Sequence, residues 1–241
     1  MKTVVISQPM YFPWVGLFEQ LRLADDFVFL DDVQYARGFI NRVQYKTPSG
    51  QAWLTVPLKR HSRDALICEL ETAEENQWRD KHLRSLRVSL AGTPYLQDAL
   101  DLADAVLSRI DLSFSEMLIY GISKVAEYYG LKGKRFYKTS EMKSEGSKSL
   151  LIQNLVTKLN GQRYVTGMGA LNYLDHEGFD KAGIQVCYMN YRKNEYPQKF
   201  APFTPYVTAL DLVANCGGDG IDYINSDVMS WSQALAGRNI E

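Results

Sequence analysis

MKTVVISQPMYFPWVGLFEQLRLADDFVFLDDVQYARGFINRVQYKTPSGQAWLTVPL, residues 1–58, carries the alternation of apolar runs and breakers from which the fold class follows. Thr3-Val4-Val5-Ile6 is short, apolar and β-branched, as a strand buried on both faces should be. Beyond Ser7-Gln8-Pro9 the strand cannot continue, because Pro9 and Pro13 lack a backbone donor and restrain the residue before them. Leu17, Phe18, Leu21 and Leu23 then recur at helical spacing and predict a short amphipathic helix over 15–24. Phe27-Val28-Phe29-Leu30 reads as a second buried strand that stops at Asp31-Asp32. Strand, loop, helix and strand make a βαβ unit of a parallel sheet, and ligands of such sheets collect beyond the carboxyl ends of the strands. Gln8, Asp31, Asp32 and Gln34 are therefore the first candidates for a site.

Two further strands are expected over 39–45 and 52–58, joined by Lys46-Thr47-Pro48-Ser49-Gly50, whose Pro, Ser and Gly suit a turn. This hairpin or flap carries Asn41, Arg42 and Lys46. Exposed polar residues of a hairpin are the bland alternative, whereas the guanidinium of Arg42 offers a planar fork suited to phosphate or carboxylate. A strand is also predicted over 66–70. From Asn76 to Leu86 a helix places Trp78, His82 and Ser85 on one face. His82 is the histidine best suited to acid or base work, with a structural hydrogen-bonded histidine as its alternative.

Helical periodicity continues over 95–108 and 114–129, where Gly130 supplies a C-terminal stop. A strand over 134–139 ends at Ser140, and Gly146-Ser147-Lys148-Ser149 precedes an apolar helix over 150–159. That run lacks the glycine spacing of a P-loop, so Ser147 or Ser149 reads first as an N-cap. Arg163-Tyr164-Val165-Thr166 is the next strand. Gly167 and Gly169 follow it, where a ligand would approach the backbone, and Gly183 to Met189 is the last strand expected. The tail from Tyr196, Pro197 and Gln198 is a loop, followed by a short helix over 208–214 and a flexible turn at 217–220. Cys216 has no candidate base near it in sequence, so it reads as a small buried residue before a nucleophile.

Composition narrows the class. The chain has 241 residues, 46% hydrophobic and 23% charged, which suits a globular protein with a sizeable core. A net charge of −1 gives no reason to expect nucleic acid or an anionic membrane as partner. No apolar run approaches the roughly 20 residues of a membrane span, and the N-terminus does not read as a signal peptide, so a cytoplasmic protein is expected. Cys68, Cys187 and Cys216 lack CxxC spacing and read as reduced thiols; His61, His82 and His176 form no metal motif. A carboxylate site at Asp31 and Asp32 is the remaining alternative for a metal, and none is assigned.

The run Gln8-Pro9-x-Tyr11-Phe12-Pro13-Trp14-x-Gly16, with Ala24-Asp25, Asp31-Asp32-Val33-Gln34, Asn41-Arg42 and Trp53-Leu54-Thr55-Val56-Pro57, resembles the WbqC-like family of bacterial proteins. Tyr164-Val165-Thr166-Gly167-x-Gly169, Tyr196-Pro197-Gln198 and Asp211-Leu212-Val213-x-Asn215 extend the resemblance over nearly the whole chain. One departure is Ser7, where many members carry His; this argues against an essential imidazole there. The family pattern of Trp followed by Lys-His falls on Trp78 and Lys81-His82.

Members are usually associated with O-antigen and other surface-polysaccharide gene sets. The resemblance thus implies a transferase that attaches an acyl or aminoacyl group to a nucleotide-linked amino sugar, drawing on acyl-CoA or on ATP with Mg²⁺. In that reading Arg42 and Lys46 hold phosphate, Tyr11 and Trp14 stack on a base or sugar, and His82 with Asp31 or Asp32 takes the amine proton. Gln8, Gln34, Asn41, Ser140, Gly167, Gly169, Tyr196 and Gln198 complete the substrate contacts. A nucleotide-sugar-binding accessory protein and an adenylating or nucleotidyl transferase are the alternatives, and a homodimer is left open.

The expected fold is one α/β domain over 1–241, with a largely parallel Rossmann-like sheet, helices on both faces and a hairpin or flap. A helical insert is expected at about 75–130 and a C-terminal loop and helix region at about 192–241. The early βαβ order is similar to nucleotidyltransferase-like folds such as that of pantothenate synthetase, without their HxGH-type motif.

Overall fold

The computed structural model describes residues 1–131 and 133–238, the side chains of 237 and 238 apart. The N-terminal stretch folds as strand β1 (Thr3–Ser7), helix α1 (Val15–Leu23) and strand β2 (Asp26–Phe29). A hairpin of β3 (Arg42–Thr47) and β4 (Gly50–Thr55) follows, then helices α2 (Trp78–Leu90), α3 (Leu96–Leu107) and α4 (Phe114–Tyr128). The chain returns through β5 (Arg135–Lys138), α5 (Thr139–Met142), α6 (Lys148–Lys158), β6 (Arg163–Thr166), α7 (His176–Lys181) and β7 (Gln185–Tyr191). It continues with α8 (Ala209–Cys216), β8 (Ser226–Ser230) and α9 (Trp231–Arg238).

The main sheet runs in the order β5-β2-β1-β6-β7-β8, parallel except for β8, which pairs antiparallel to β7. Counted along the chain this is the order 3-2-1-4-5-6 of a Rossmann-like sheet. The side-chain period of two assigns the faces. Val5, Phe27, Phe29, Val165, Cys187 and Met189 enter one core with the buried faces of α1, α3, α4 and α8. Val4, Ile6, Val28, Tyr164, Val186 and Tyr188 enter the other, which Ile152, Leu155 and Val156 of α6 and Phe179 of α7 complete. The apolar strands are therefore covered on both faces, as their sequence required.

Local chemistry sets the element ends. At α4, Ser113 Oγ accepts from Glu116 N at 3.3 Å while Glu116 Oε2 accepts from Ser113 N at 3.0 Å, a capping box. Gly130, at φ 65°, ends the same helix where Leu131 N donates to Ala126 O at 2.9 Å.

Four expectations change. The stretch 66–70 is a 3-10 turn, Ile67–Glu69, because its backbone bonds run to Val33 and Asp31 as isolated links rather than a ladder. The hairpin forms a separate two-stranded sheet, so Lys46 lies in a strand rather than in the turn. Residues Gly217–Tyr223 form a 3-10 helix with Gly217 and Gly220 buried, not a flexible turn. The last strand of the sheet is β8, whose polar sequence Ser-Asp-Val-Met-Ser carries little strand signal but pairs with β7 over five residues.

Candidate functional site

The strand order reverses between β1 and β6, so their carboxyl ends place Ser7-Gln8 beside Thr166-Gly167. Gln8 is half-buried and its amide makes no hydrogen bond among the described residues. Gly167 faces Tyr191 Oη and Gln20 Nε2, which would lie 3.6 and 3.9 Å from a Cβ added there, and Gln20 donates to Tyr191. Gly169 borders open space. Neither glycine has a positive φ, so what they contribute is room rather than backbone freedom.

Trp14 sits at the start of α1, its ring 5.0 Å from Tyr191 and 5.5 Å from Tyr206. Gly16 permits this pose, since a Cβ there would come within 2.1 Å of the indole. One turn along α1, Glu19 is 2% exposed and its Oε2 has no hydrogen-bond partner. Burial pushes its carboxyl up to about 7, outweighing the pull of the Ser226 hydroxyl, which lies near but outside hydrogen-bond geometry. Glu19, Gln20 and Tyr191 were not anticipated; the sole hint was an acid and an amide within the helical run 15–24.

Beyond β2 the two aspartates have different lives. The Asp31 carboxylate is buried and accepts from Ser140 N at 3.0 Å, Ser140 Oγ at 2.8 Å, Thr139 Oγ1 at 3.2 Å and Ser115 Oγ at 3.4 Å. These bonds fasten the end of β2 to the end of β5, so Ser140 serves Asp31 rather than facing open space. Asp32 is half-buried and accepts from Thr139. His82 belongs to another neighbourhood. Its Nδ1 lies 2.9 Å from Tyr11 Oη, and its ring packs by Trp78. Burial lowers its pKa to about 4, against a smaller pull from a Thr55 backbone hydrogen bond, so the imidazole is neutral at pH 7. His82 lines a cavity of about 280 Å³ with Thr55, Glu75, Asn76, Trp78 and Lys81.

Several expected contacts are redirected. Tyr11, expected to stack on a ligand, is 1% exposed, with its ring on Phe12 and its hydroxyl on His82. The Lys46 ammonium, expected to hold phosphate, is enclosed by Gln198 Oε1 at 3.0 Å and the carbonyls of Phe200 and Pro202. Burial lowers its pKa while Asp211 opposes the shift. Gln198 Nε2 donates to Tyr196 Oη at 2.8 Å, and Tyr196 Oη to Asp211 Oδ1 at 3.0 Å. Tyr196, Gln198 and Lys46 thus form a buried chain that ends on Asp211, whose carboxyl burial raises to about 6. Asp211 belongs to the family motif Asp211-Leu212-Val213-x-Asn215, and its place inside the apolar run 209–214 is the sequence signal for a buried role.

Asn41 donates to Val56 O at 3.1 Å across the hairpin, and Gln34 is exposed and donates to Arg63 O at 3.0 Å. Arg42 lies 4.2 Å from the centre of the Trp53 ring on the hairpin's outer face. The Cys216 thiol, pushed up to about 11 by burial, stays protonated near pH 7 and is a poor nucleophile. Among the described residues no three His, Cys, Asp or Glu are grouped to hold a metal ion, and no helix is long and apolar enough to cross a membrane.

No solved structure matches the chain. It is 29% identical over 227 residues to the uncharacterized protein Rv1507c of Mycobacterium tuberculosis (strain ATCC 25618 / H37Rv), over 93% of this chain and 98% of that protein. The sequence pattern of the WbqC-like protein family matches residues 8–223, and the chain belongs to that family.

Proposed function

We propose that the protein is a transferase of bacterial glycan biosynthesis that attaches an acyl or aminoacyl group to the amine of a nucleotide-linked amino sugar. The observation that carries the nucleotide part is the reversal of strand order between β1 and β6, at an edge bearing the unbonded Gln8 amide and the room at Gly167. In open α/β sheets that crevice is where nucleotides lie. Trp14 offers a ring beside it, and Asp32 is the carboxylate with capacity left for a sugar hydroxyl.

In the transfer, the amine nitrogen bonds to the acyl carbon, the bond from that carbon to a thiolate or phosphate leaving group breaks, and the amine proton passes to a base. His82 is that base in this reading. It is held neutral, it lines a cavity, and Tyr11, on the loop that also carries Gln8, fixes its ring. A nucleotide-sugar-binding protein without chemistry is the second reading. It is favoured by the commitment of Asp31 and Lys46 to protein partners.

The test is thermal unfolding against a panel of nucleotide-linked amino sugars, followed by product mass with acyl-CoA, or with an amino acid plus ATP and Mg²⁺. A ligand at one hundred times its Kd stabilises by roughly 2.7 kcal/mol. Stabilisation that Gln8→Ala abolishes supports the crevice; no stabilisation by any of them overturns the substrate class. Product that falls ~100-fold in His82→Ala, with the fold intact by circular dichroism, supports the base; binding without product selects the second reading.

A further inference from the structure

A cavity lies away from the sheet edge, in the seam between the β3–β4 hairpin and α2. It encloses about 720 Å³ between Tyr45 of the hairpin, Lys81, Arg84 and Val88 of α2, and Lys199 and Phe200. Three of these residues are cations and none is acidic. The side chains of Lys81 and Arg84, one helical turn apart, make no salt bridge or hydrogen bond among the described residues, whereas Arg79, two residues before Lys81, is paired with Glu74 at 2.8 Å. Lys199 donates to Ser89 O at 3.2 Å, which holds its ammonium at the wall of the groove. Apolar surface lies beside the cations: Val88 is 75% exposed, and the Tyr45 and Phe200 rings are half-buried.

Exposed cations of a helix are ordinarily solvated and worth little. Here three cations line one concavity whose own lining holds no acidic residue, Glu75 meeting Lys81 only at the adjoining cavity of His82, and a groove with low-dielectric walls and one sign of charge concentrates an anion of the opposite sign. Apolar surface beside them marks the class further, since it would cover a ring or alkyl group attached to that anion.

We infer that the seam is a binding site for a phosphorylated organic molecule, its phosphate or diphosphate held by Lys81, Arg84 and Lys199 and its apolar part resting on Tyr45, Val88 and Phe200. The site is separate from the switch point of the sheet and does not depend on the function proposed for it. Arginine supplies paired donors to phosphate oxygens and lysine a point charge, so the set suits phosphate better than a lone carboxylate.

Inorganic pyrophosphate and coenzyme A, each titrated calorimetrically into the full chain at low and at physiological salt, test this. Both should bind, coenzyme A the tighter of the two because it adds apolar contact. Lys81→Ala/Arg84→Ala should weaken both at least tenfold, Val88→Asp should weaken both by adding an anion to the groove, and Gln8→Ala should change neither. Equal affinity in the wild type and the Lys81→Ala/Arg84→Ala variant, or no binding of either probe at low salt, overturns the site. Binding of pyrophosphate without any gain for coenzyme A overturns the apolar half of the assignment. Loss of nucleotide-sugar binding in Gln8→Ala with pyrophosphate binding retained separates this site from the crevice.

Discussion

Glu19 shows how one buried side chain ties the candidate site to stability. Its folded pKa of about 7 lies above the ordinary 4.5, so the folded state binds the proton more tightly than the unfolded chain. The contribution is fully present below about pH 4.5 and lost as pH rises through 7. His82 acts in the opposite sense: with its folded pKa near 4, stability is present above pH 6.5 and lost as pH falls towards 4. Glu19→Gln removes the first effect and leaves the second. Its Tm relative to wild type should therefore be higher at pH 8 than at pH 5, by the equivalent of roughly 3 kcal/mol for a shift of this size; a pH-independent difference would mean that Glu19 ionises normally in the fold. Such dual dependence was not legible in the sequence. His82 is marked in the sequence by the near-neutral titration of imidazole and by the Trp78 and Lys81-His82 pattern, whereas the burial of Glu19 follows only from the packing of α1.

At the scale of elements, Asp31 joins two strands that the chain separates by more than a hundred residues. Through Ser140 and Thr139 it caps the short helix α5 and fastens β5 beside β2. Asp31→Ala would leave the Ser140 amide and two hydroxyls without their acceptor, at about 1–3 kcal/mol for each buried group left unmade. We expect a loss of about 3 kcal/mol in urea unfolding and early amide exchange in 135–142. An unchanged unfolding midpoint would return Asp31 to the pool of groups free for ligand. The strands themselves were legible: the runs 3–6, 27–30 and 163–166 are rich in β-branched or aromatic residues and are followed by Pro, Asp or Gly, and these are local properties. So was the C-terminal stop of α4, because Gly130 adopts the positive φ that ends a helix. β8 was not, since its pattern gains strand character only from pairing with β7.

For the molecule as a whole, the chain of Lys46, Gln198, Tyr196 and Asp211 links the hairpin to the C-terminal loop and α8, across 152 residues between Lys46 and Gln198. Lys46→Met keeps most of the side-chain volume but leaves the carbonyls of Phe200 and Pro202 without their donor, while Gln198 Oε1 keeps its bond from Thr204 N. The expected cost is about 3 kcal/mol, with protease cleavage appearing in 196–205, because breaking a buried charge arrangement from one side exposes its full desolvation penalty. Resistance to cleavage equal to wild type would show that the loop is held by its apolar contacts instead. By itself the sequence determined the parallel α/β class, the carboxyl-edge position of Gln8 and Gly167, and the family, because strand runs, breakers and motif spacing are written locally along the chain. Only the tertiary structure decided that Tyr11 and Lys46 are interior, that Asp31 is a fastening and that Lys81, Arg84 and Lys199 face one groove. The physical reason is that a polar group's role depends on which partners fold against it, and those partners lie tens to hundreds of residues away.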